Sequence, residues 1–130
     1  MKKVILSLFA TLGVFSASCS AQADGIKVLN PQVFFSQATA DTSAVILDVR
    51  TPSEYAESHL SGASQLDYLN KEIFDDGIKK FDKAHTYYVY CRSGRRSHAA
   101  CEKMIKMGLR VYDMEGGILN WQKQKMPVVK

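Results

Sequence analysis

The chain has 130 residues, of which 46% are apolar, 10% aromatic and 23% charged, with a formal net charge of +4. Those proportions exclude a collagen-like, low-complexity or disordered chain. The length suits one domain able to bury roughly two-thirds of its surface without disulfide staples. Basic and acidic residues are mixed along the chain, so the charge gives no footprint for nucleic acid.

Taken in chain order, Met1-Lys2-Lys3 is basic, the stretch 4–15 is apolar and uncharged, and 16–23 is small and polar. Basic, apolar, small is the order of a secretory signal. The apolar part is too short for the roughly 20 residues that span a bilayer, which predicts export and no membrane helix. Ala21-Gln22-Ala23 offers a cleavage site that leaves a domain over 24–130. Ser16-Ala17-Ser18-Cys19 instead resembles a relaxed lipoprotein box, with a signal over 1–18 and an acylated Cys19. Both cuts remain open, and both send the protein out of the cytoplasm, with the bacterial periplasm as the expected compartment. A lipid on Cys19 is the only membrane contact expected. A cut after Ala23 removes Lys2 and Lys3 and lowers the net charge to +2.

The body alternates strand-like and helix-like stretches. Residues 26–29 read as a short strand, and Asn30-Pro31 as the cap and first turn of a helix carrying Val33, Phe34 and Gln37. The run 44–49 is apolar without alternation, as in a strand buried on both faces. Thr51-Pro52-Ser53-Glu54 is a capping box whose helix should run to about Ser61-Gly62. Residues 64–66 form a further short strand. The stretch 71–81 has helical spacing interrupted by Gly77, and 86–90 is a strong strand. Residues 97–107 predict a helix with Ala100, Cys101, Met104 and Met107 on one face and Gly108 as its stop. A strand over 111–114, a Gly116-Gly117 turn and a helix over 118–122 complete the series. This order predicts an α/β domain with a mainly parallel sheet and helices on both faces. Ligands of such sheets bind beyond the carboxyl ends of the strands, after Val49 and Tyr90.

The loop Cys91-Arg92-Ser93-Gly94-Arg95-Arg96-Ser97 occupies that position. It leads from a buried strand into a helix N-terminus, whose unpaired N–H groups and dipole favour an anion. Gly94 permits a backbone nest, and three arginines add positive charge. A thiolate at Cys91 is stabilised by all of these and becomes a nucleophile able to carry a second sulfur. Arg92 and Arg95 are expected to face solvent and an anionic substrate, while Arg96 turns back to pair with Asp48. Cys101 shares a helical face with Met104 and reads as core, with a resolving-thiol role as the alternative. No Cys or His pair has metal-ligand spacing, so neither a metal nor another cofactor is expected.

The chain resembles the rhodanese family, specifically its single-domain sulfurtransferases, over about residues 26–125. The resemblance rests on Leu47-Asp48-Val49-Arg50, Glu54-Tyr55, His59-Leu60-Ser61-Gly62-Ala63, the Cys91 loop and Gly116-Gly117-Ile118-Leu119-Asn120-Trp121. It implies an α/β sandwich with a five-stranded parallel sheet flanked by helices on both faces. It also implies Cys91 as the persulfide carrier, ringed by the amides of Arg92 to Arg96, with Asp48 and Arg50 as structural support. Ser58 departs from the family, which usually has glycine before His59, and this puts the local turn in question. His59 is read as a structural hydrogen-bonding group, and Trp121 and the Tyr87–Tyr90 cluster as core.

Two other functions compete. Tyrosine phosphatases and arsenate reductases also hold a cysteine in an anion cradle, but phosphatases place five residues between Cys and Arg. Here Arg96 follows Cys91 after four, and Tyr90 stands where a histidine usually precedes the cysteine. A non-catalytic rhodanese-like binding module is the other reading, since fold alone does not imply activity. The favoured reaction moves a sulfane sulfur from thiosulfate or a persulfide to cyanide or a thiol. The expected partners are thus a small anionic donor and a thiophilic acceptor, with the protein as a monomer.

Overall fold

Along the central strand, side chains alternate between two apolar layers. Tyr87, Val89 and Cys91 enter one cluster with Phe74, Ile78, Ala100, Cys101 and Met104. Tyr88 and Tyr90 enter the other with Phe34, Ala38, Met114, Ile118 and Trp121. The two-residue period of a strand sends neighbours to opposite faces, so a strand apolar at every position must lie between two layers of helix.

The computed structural model describes residues 25–130. The expected export signal and Cys19 lie outside the described residues. The elements are β1 (Lys27–Leu29), α1 (Pro31–Ala40), β2 (Ala44–Asp48), α2 (Pro52–Glu57), β3 (Ser64–Gln65), α3 (Lys71–Lys79), β4 (Thr86–Tyr90), α4 (Arg95–Lys106), β5 (Arg110–Met114) and α5 (Gly117–Lys123). All sheet pairings are parallel, in the order β1-β5-β4-β2-β3. The expected α/β class and five-stranded parallel sheet are both present. Among the described residues no helix is long and apolar enough to cross a membrane.

Local signals explain most boundaries. The Asn30 side chain accepts from the Val33 amide and Pro31 opens α1, as the sequence predicts. The buried side of that helix is Pro31, Phe34 and Ala38, whereas Val33 is exposed. The capping box of α2 is complete: Thr51 accepts from the Glu54 amide, and Glu54 accepts from the Thr51 amide.

The expected extension of α2 to Ser61-Gly62 does not occur; it ends at Glu57. The reason is tertiary. Ser58 turns to an extended conformation and its carbonyl accepts from Arg50. His59 exchanges two backbone hydrogen bonds with Val129, each at 2.8 Å. The Leu60 amide donates to the Tyr90 hydroxyl. Backbone groups committed to distant partners cannot also extend a helix.

Under the carboxyl end of the sheet lies a buried polar cluster. Asp48, at the end of β2, receives Arg50 Nε at 3.0 and 3.1 Å and Arg50 Nη2 at 2.7 Å. It also accepts from the Arg50 amide and from the Tyr90 hydroxyl at 2.7 Å. Both charged side chains are almost wholly buried, 5% exposed for Arg50 and 0% for Asp48. Burial beside this carboxylate pushes the Tyr90 hydroxyl far above its ordinary pKa, so it stays a donor. The cluster joins β2, β4 and the segment after α2. Asp48→Ala leaves the Arg50 guanidinium buried without its counter-ion and is expected to cost about 3–5 kcal/mol, read from urea unfolding.

Candidate active site

Cys91 is the first residue after β4 and continues the inward-facing period of Tyr87 and Val89. It is 0% exposed. The composition of the loop predicts an open, accessible thiol; the sulfur instead lies beneath the loop, because it prolongs a strand face buried against α3 and α4. The loop itself is curled, as expected. The Gly94 amide donates to Cys91 Sγ at 3.1 Å, and the thiol faces Ser97 Oγ at 3.5 Å. Ser97 Oγ donates back to the Gly94 carbonyl at 3.2 Å. Gly94 has φ +105°, a left-handed conformation that side-chain-bearing residues rarely adopt. It caps α4, which starts at Arg95, two residues earlier than the sequence indicates. The expectation of amides from Arg92 through Arg96 around the sulfur reduces to one hydrogen bond, from Gly94, among those the structure resolves.

The loop is clamped from outside by α5. The Ile118 amide donates to the Cys91 carbonyl at 2.9 Å, and the Leu119 amide donates to the Arg92 carbonyl at 3.1 Å. First-turn amides have no partner within their own helix, and here the loop carbonyls supply one. In a planar trans peptide the N–H points opposite to the C=O. Anchoring those two carbonyls in α5 therefore turns the amides of Arg92 and Ser93 away from it. The contact needs Gly117, where φ is +63° and an added Cβ would lie 2.6 Å from the Cys91 carbonyl and closer still to that of Arg92. The sequence shows Gly116-Gly117 only as a turn; a glycine pair opening a helix was the available signal for a clamp.

The arginines divide into two groups. Arg92 and Arg95 are exposed at the rim, as expected. Arg96 does not pair with Asp48. Its guanidinium grips Glu54 through two parallel hydrogen bonds, Nη1 to Oε1 at 2.8 Å and Nη2 to Oε2 at 3.0 Å. Asp48 is already saturated by Arg50, two residues along its own chain, which leaves Arg96 to the first turn of α2. The Arg96 hydrogen bonds, helped by those from Thr51, hold the Glu54 carboxyl down at about 2 despite partial burial. One carboxylate thus caps α2 and braces α4, and the Arg96 guanidinium is committed to structure.

This architecture has known counterparts. Residues 34–124 match the rhodanese-like domain family. The chain belongs to that family. It is 36% identical over 96 residues to a sulfurtransferase of Allochromatium vinosum, an alignment covering 72% of this chain and 87% of the relative. It is 34% identical to thiosulfate sulfurtransferase GlpE of Pseudomonas fluorescens, over 66% of this chain and 77% of the relative. Among solved structures, a rhodanese-related protein from Thermoplasma volcanium superposes with a TM-score of 0.71 at 27% identity, covering 79% of this chain and 97% of that one.

The remaining rhodanese-like motifs find structural places. Ser58, where the family usually has glycine, has φ −172° and ψ 153°, an extended geometry open to any residue. His59 stacks on Tyr55 with ring centroids 3.7 Å apart, and its Nδ1 lies 2.8 Å from the Tyr55 carbonyl. Trp121 is buried and its indole donates to the Pro127 carbonyl. Cys101 is 0% exposed within the α4 face of the core. No group of His, Cys, Asp or Glu among the described residues could hold a metal.

Gly117→Ala is expected to push the Cys91 loop off α5. Sulfur-transfer activity should fall at least about tenfold, because misplacing a reacting group by about 1 Å can cost 100-fold. Steady-state kinetics on folded protein, confirmed by circular dichroism, reads the effect.

Proposed function

We propose that this protein is a sulfurtransferase whose Cys91 carries a sulfane sulfur as a persulfide. The observation that carries the reading is the Gly94 amide held 3.1 Å from the Cys91 sulfur, in a loop fixed by α5 at the carboxyl edge of the sheet. The names of the Allochromatium and Pseudomonas relatives support the same activity.

In the proposed cycle the Cys91 thiolate attacks the outer sulfur of thiosulfate. A new S–S bond forms, the donor's S–S bond breaks, and sulfite leaves with its electron pair. The terminal sulfur of the Cys91 persulfide keeps one negative charge, stabilised by the donor amides of the loop. Cyanide or a thiolate then attacks that terminal sulfur and restores the Cys91 thiolate. Exposed Arg92 and Arg95 attract the anionic donor. Since Cys91 has no exposed surface, the Arg92–Ser93 segment must move aside for the donor to reach the sulfur.

A phosphatase is disfavoured by the short loop, in which Arg96 is bound to Glu54 and so is not aimed at a phosphoryl group. Export by the segment before residue 24, through cleavage after Ala23 or lipidation of Cys19, is part of the same proposal and rests on the sequence.

Intact mass spectrometry after thiosulfate treatment tests the chemistry. The gain of one sulfur atom, lost on adding cyanide, is expected in the wild type and absent in Cys91→Ala. Cys101→Ala should keep most of the activity, since its thiol is packed in the core; equal loss in both variants would reverse the assignment. Arg95→Ala should raise KM for thiosulfate about three- to tenfold with little change in kcat, as for a rim charge that steers an anion. An unchanged KM would remove Arg95 from donor binding.

A further inference from the structure

Beside the Cys91 loop stands a side chain that neither the core nor the sulfur-transfer cycle uses. Leu119 lies in the first turn of α5 and is 43% exposed. Its helix buries Ile118 and Trp121, three residues apart and so on one face, against the core. Leu119 is off that face and belongs to neither apolar cluster of the described residues. An exposed leucine alone needs no explanation. The place of this one does, because its own amide is one of the two that hold the loop, donating to the Arg92 carbonyl at 3.1 Å. Leu119 is thereby fixed against the residue that follows the nucleophile.

The surroundings set this apolar group next to positive charge. Arg92 and Arg95 are exposed at the same rim, whereas Arg96 is bound to Glu54. Other exposed apolar side chains near the carboxyl end of the sheet, Leu69 and Ile73, come after β3, and the Tyr68 amide ties that segment to the Val49 carbonyl beyond β2. β2 lies between β3 and β4. Two strand spacings place Leu69 roughly 10 Å to the side of the nucleophile's strand. Leu119 is therefore the exposed apolar residue whose backbone is bonded to the nucleophile loop.

We propose that Leu119 is a specificity-determining residue for the sulfur acceptor: with Arg92 beside it, the rim selects an organic thiol that bears an apolar stem and a carboxylate. The inference deepens the sulfurtransferase reading and rests on Cys91 carrying the persulfide. In the second half of the cycle the acceptor, having lost its proton to solvent, attacks the terminal sulfur as a thiolate. A new S–S bond forms to the acceptor, and the bond between Cys91 Sγ and the terminal sulfur breaks. Cys91 leaves with the electron pair as a thiolate, and the acceptor departs as an anionic persulfide. Two negative charges are present before and after.

Both reactants are anions, so their approach is opposed unless positive charge lies beside the path, and the exposed arginines supply it. The Cys91 sulfur has no exposed surface, so every acceptor enters past the rim of the loop. Cyanide is two atoms long and leaves nothing at that rim. A thiol with several methylenes instead trails its chain outward from the sulfur. There the Leu119 side chain shields the methylenes from water while Arg92 meets the carboxylate. The contact is made by the acceptor and not by thiosulfate, which has no carbon to cover.

The test is a transfer assay on the full chain with thiosulfate as donor and four acceptors: cyanide, mercaptopropionate, its longer homologue mercaptohexanoate, and cysteamine. The readout is kcat/KM for the acceptor per thiolate, which in a ping-pong cycle is independent of donor binding. In the wild type mercaptohexanoate should exceed mercaptopropionate by about threefold or more, as for methylenes partly withdrawn from water. Cysteamine, whose far end is positive, should be the poorest thiol. Leu119→Ala keeps the amide that clamps the loop. It should abolish the gain with chain length while leaving cyanide within about twofold of the wild type. Leu119→Met, apolar and of similar volume, should retain the gain. Arg92→Ala should bring mercaptopropionate down toward cysteamine, and Leu69→Ala should match the wild type with every acceptor. Thermal melting of each variant verifies folding. The absence of a chain-length gain in the wild type, or an equal fall for cyanide and the thiols in Leu119→Ala, would overturn the acceptor role and leave sulfur transfer intact. A wild type that takes no sulfur from thiosulfate, read by intact mass, would overturn the sulfurtransferase reading itself.

Discussion

The arrangement depends on two hydrogen bonds from the first turn of α5 to the carbonyls of Cys91 and Arg92. A loop of this kind has no ladder of its own to hold it, and its backbone groups would otherwise turn to water. Anchoring the carbonyls on one side decides which way the following amides point. The anchor is also the tightest backbone approach in the site, and it leaves no room for a side chain at residue 117. Loop shape, helix placement and residue choice at that position are therefore one constraint.

The second support is electrostatic and lies below the loop. Asp48, Arg50 and Tyr90 form a buried cluster whose members satisfy one another, while Glu54 and Arg96 join the first turns of α2 and α4 at the surface. The first pair is costly to break because each charge would be stranded away from water. The second pair keeps some contact with solvent, its side chains 19% and 24% exposed, and its value is mainly geometric: a two-pronged grip between planar groups fixes the direction of both helices. Arg92 and Arg95, with no such partner among the described residues, are the pair proposed to attract an anionic donor.

Much of this was legible from residue order alone. The alternation of strand and helix signals led to the parallel sheet, and cysteine, glycine and arginine in one short loop pointed to the candidate site. Helix starts were clear where a side chain does the capping, as at Asn30 and Thr51. They were misread at Arg95, where Gly94 caps by conformation and leaves no polar side chain as a sign. The end of α2 was misjudged because its backbone partners, Tyr90 and Val129, are distant in the chain. The partner of Arg96 was missed for a related reason: spacing cannot show that Asp48 is already filled by Arg50. Burial of the Cys91 sulfur follows from counting strand register two residues past Val89, a step that loop composition does not suggest.

The strand order carries a consequence for how the chain acquires its shape. Among the described residues β1 pairs only with β5, about 80 residues later, so Lys27 waits for Tyr112 before it has a strand neighbour. Pairings between such distant segments are slow to form, because loop-closure entropy is spent before any contact rewards it. On a ribosome β1 has no strand partner until β5 has emerged. Addition of β1 to the edge of the sheet accordingly follows the appearance of β5, whatever the order in which the inner strands pair.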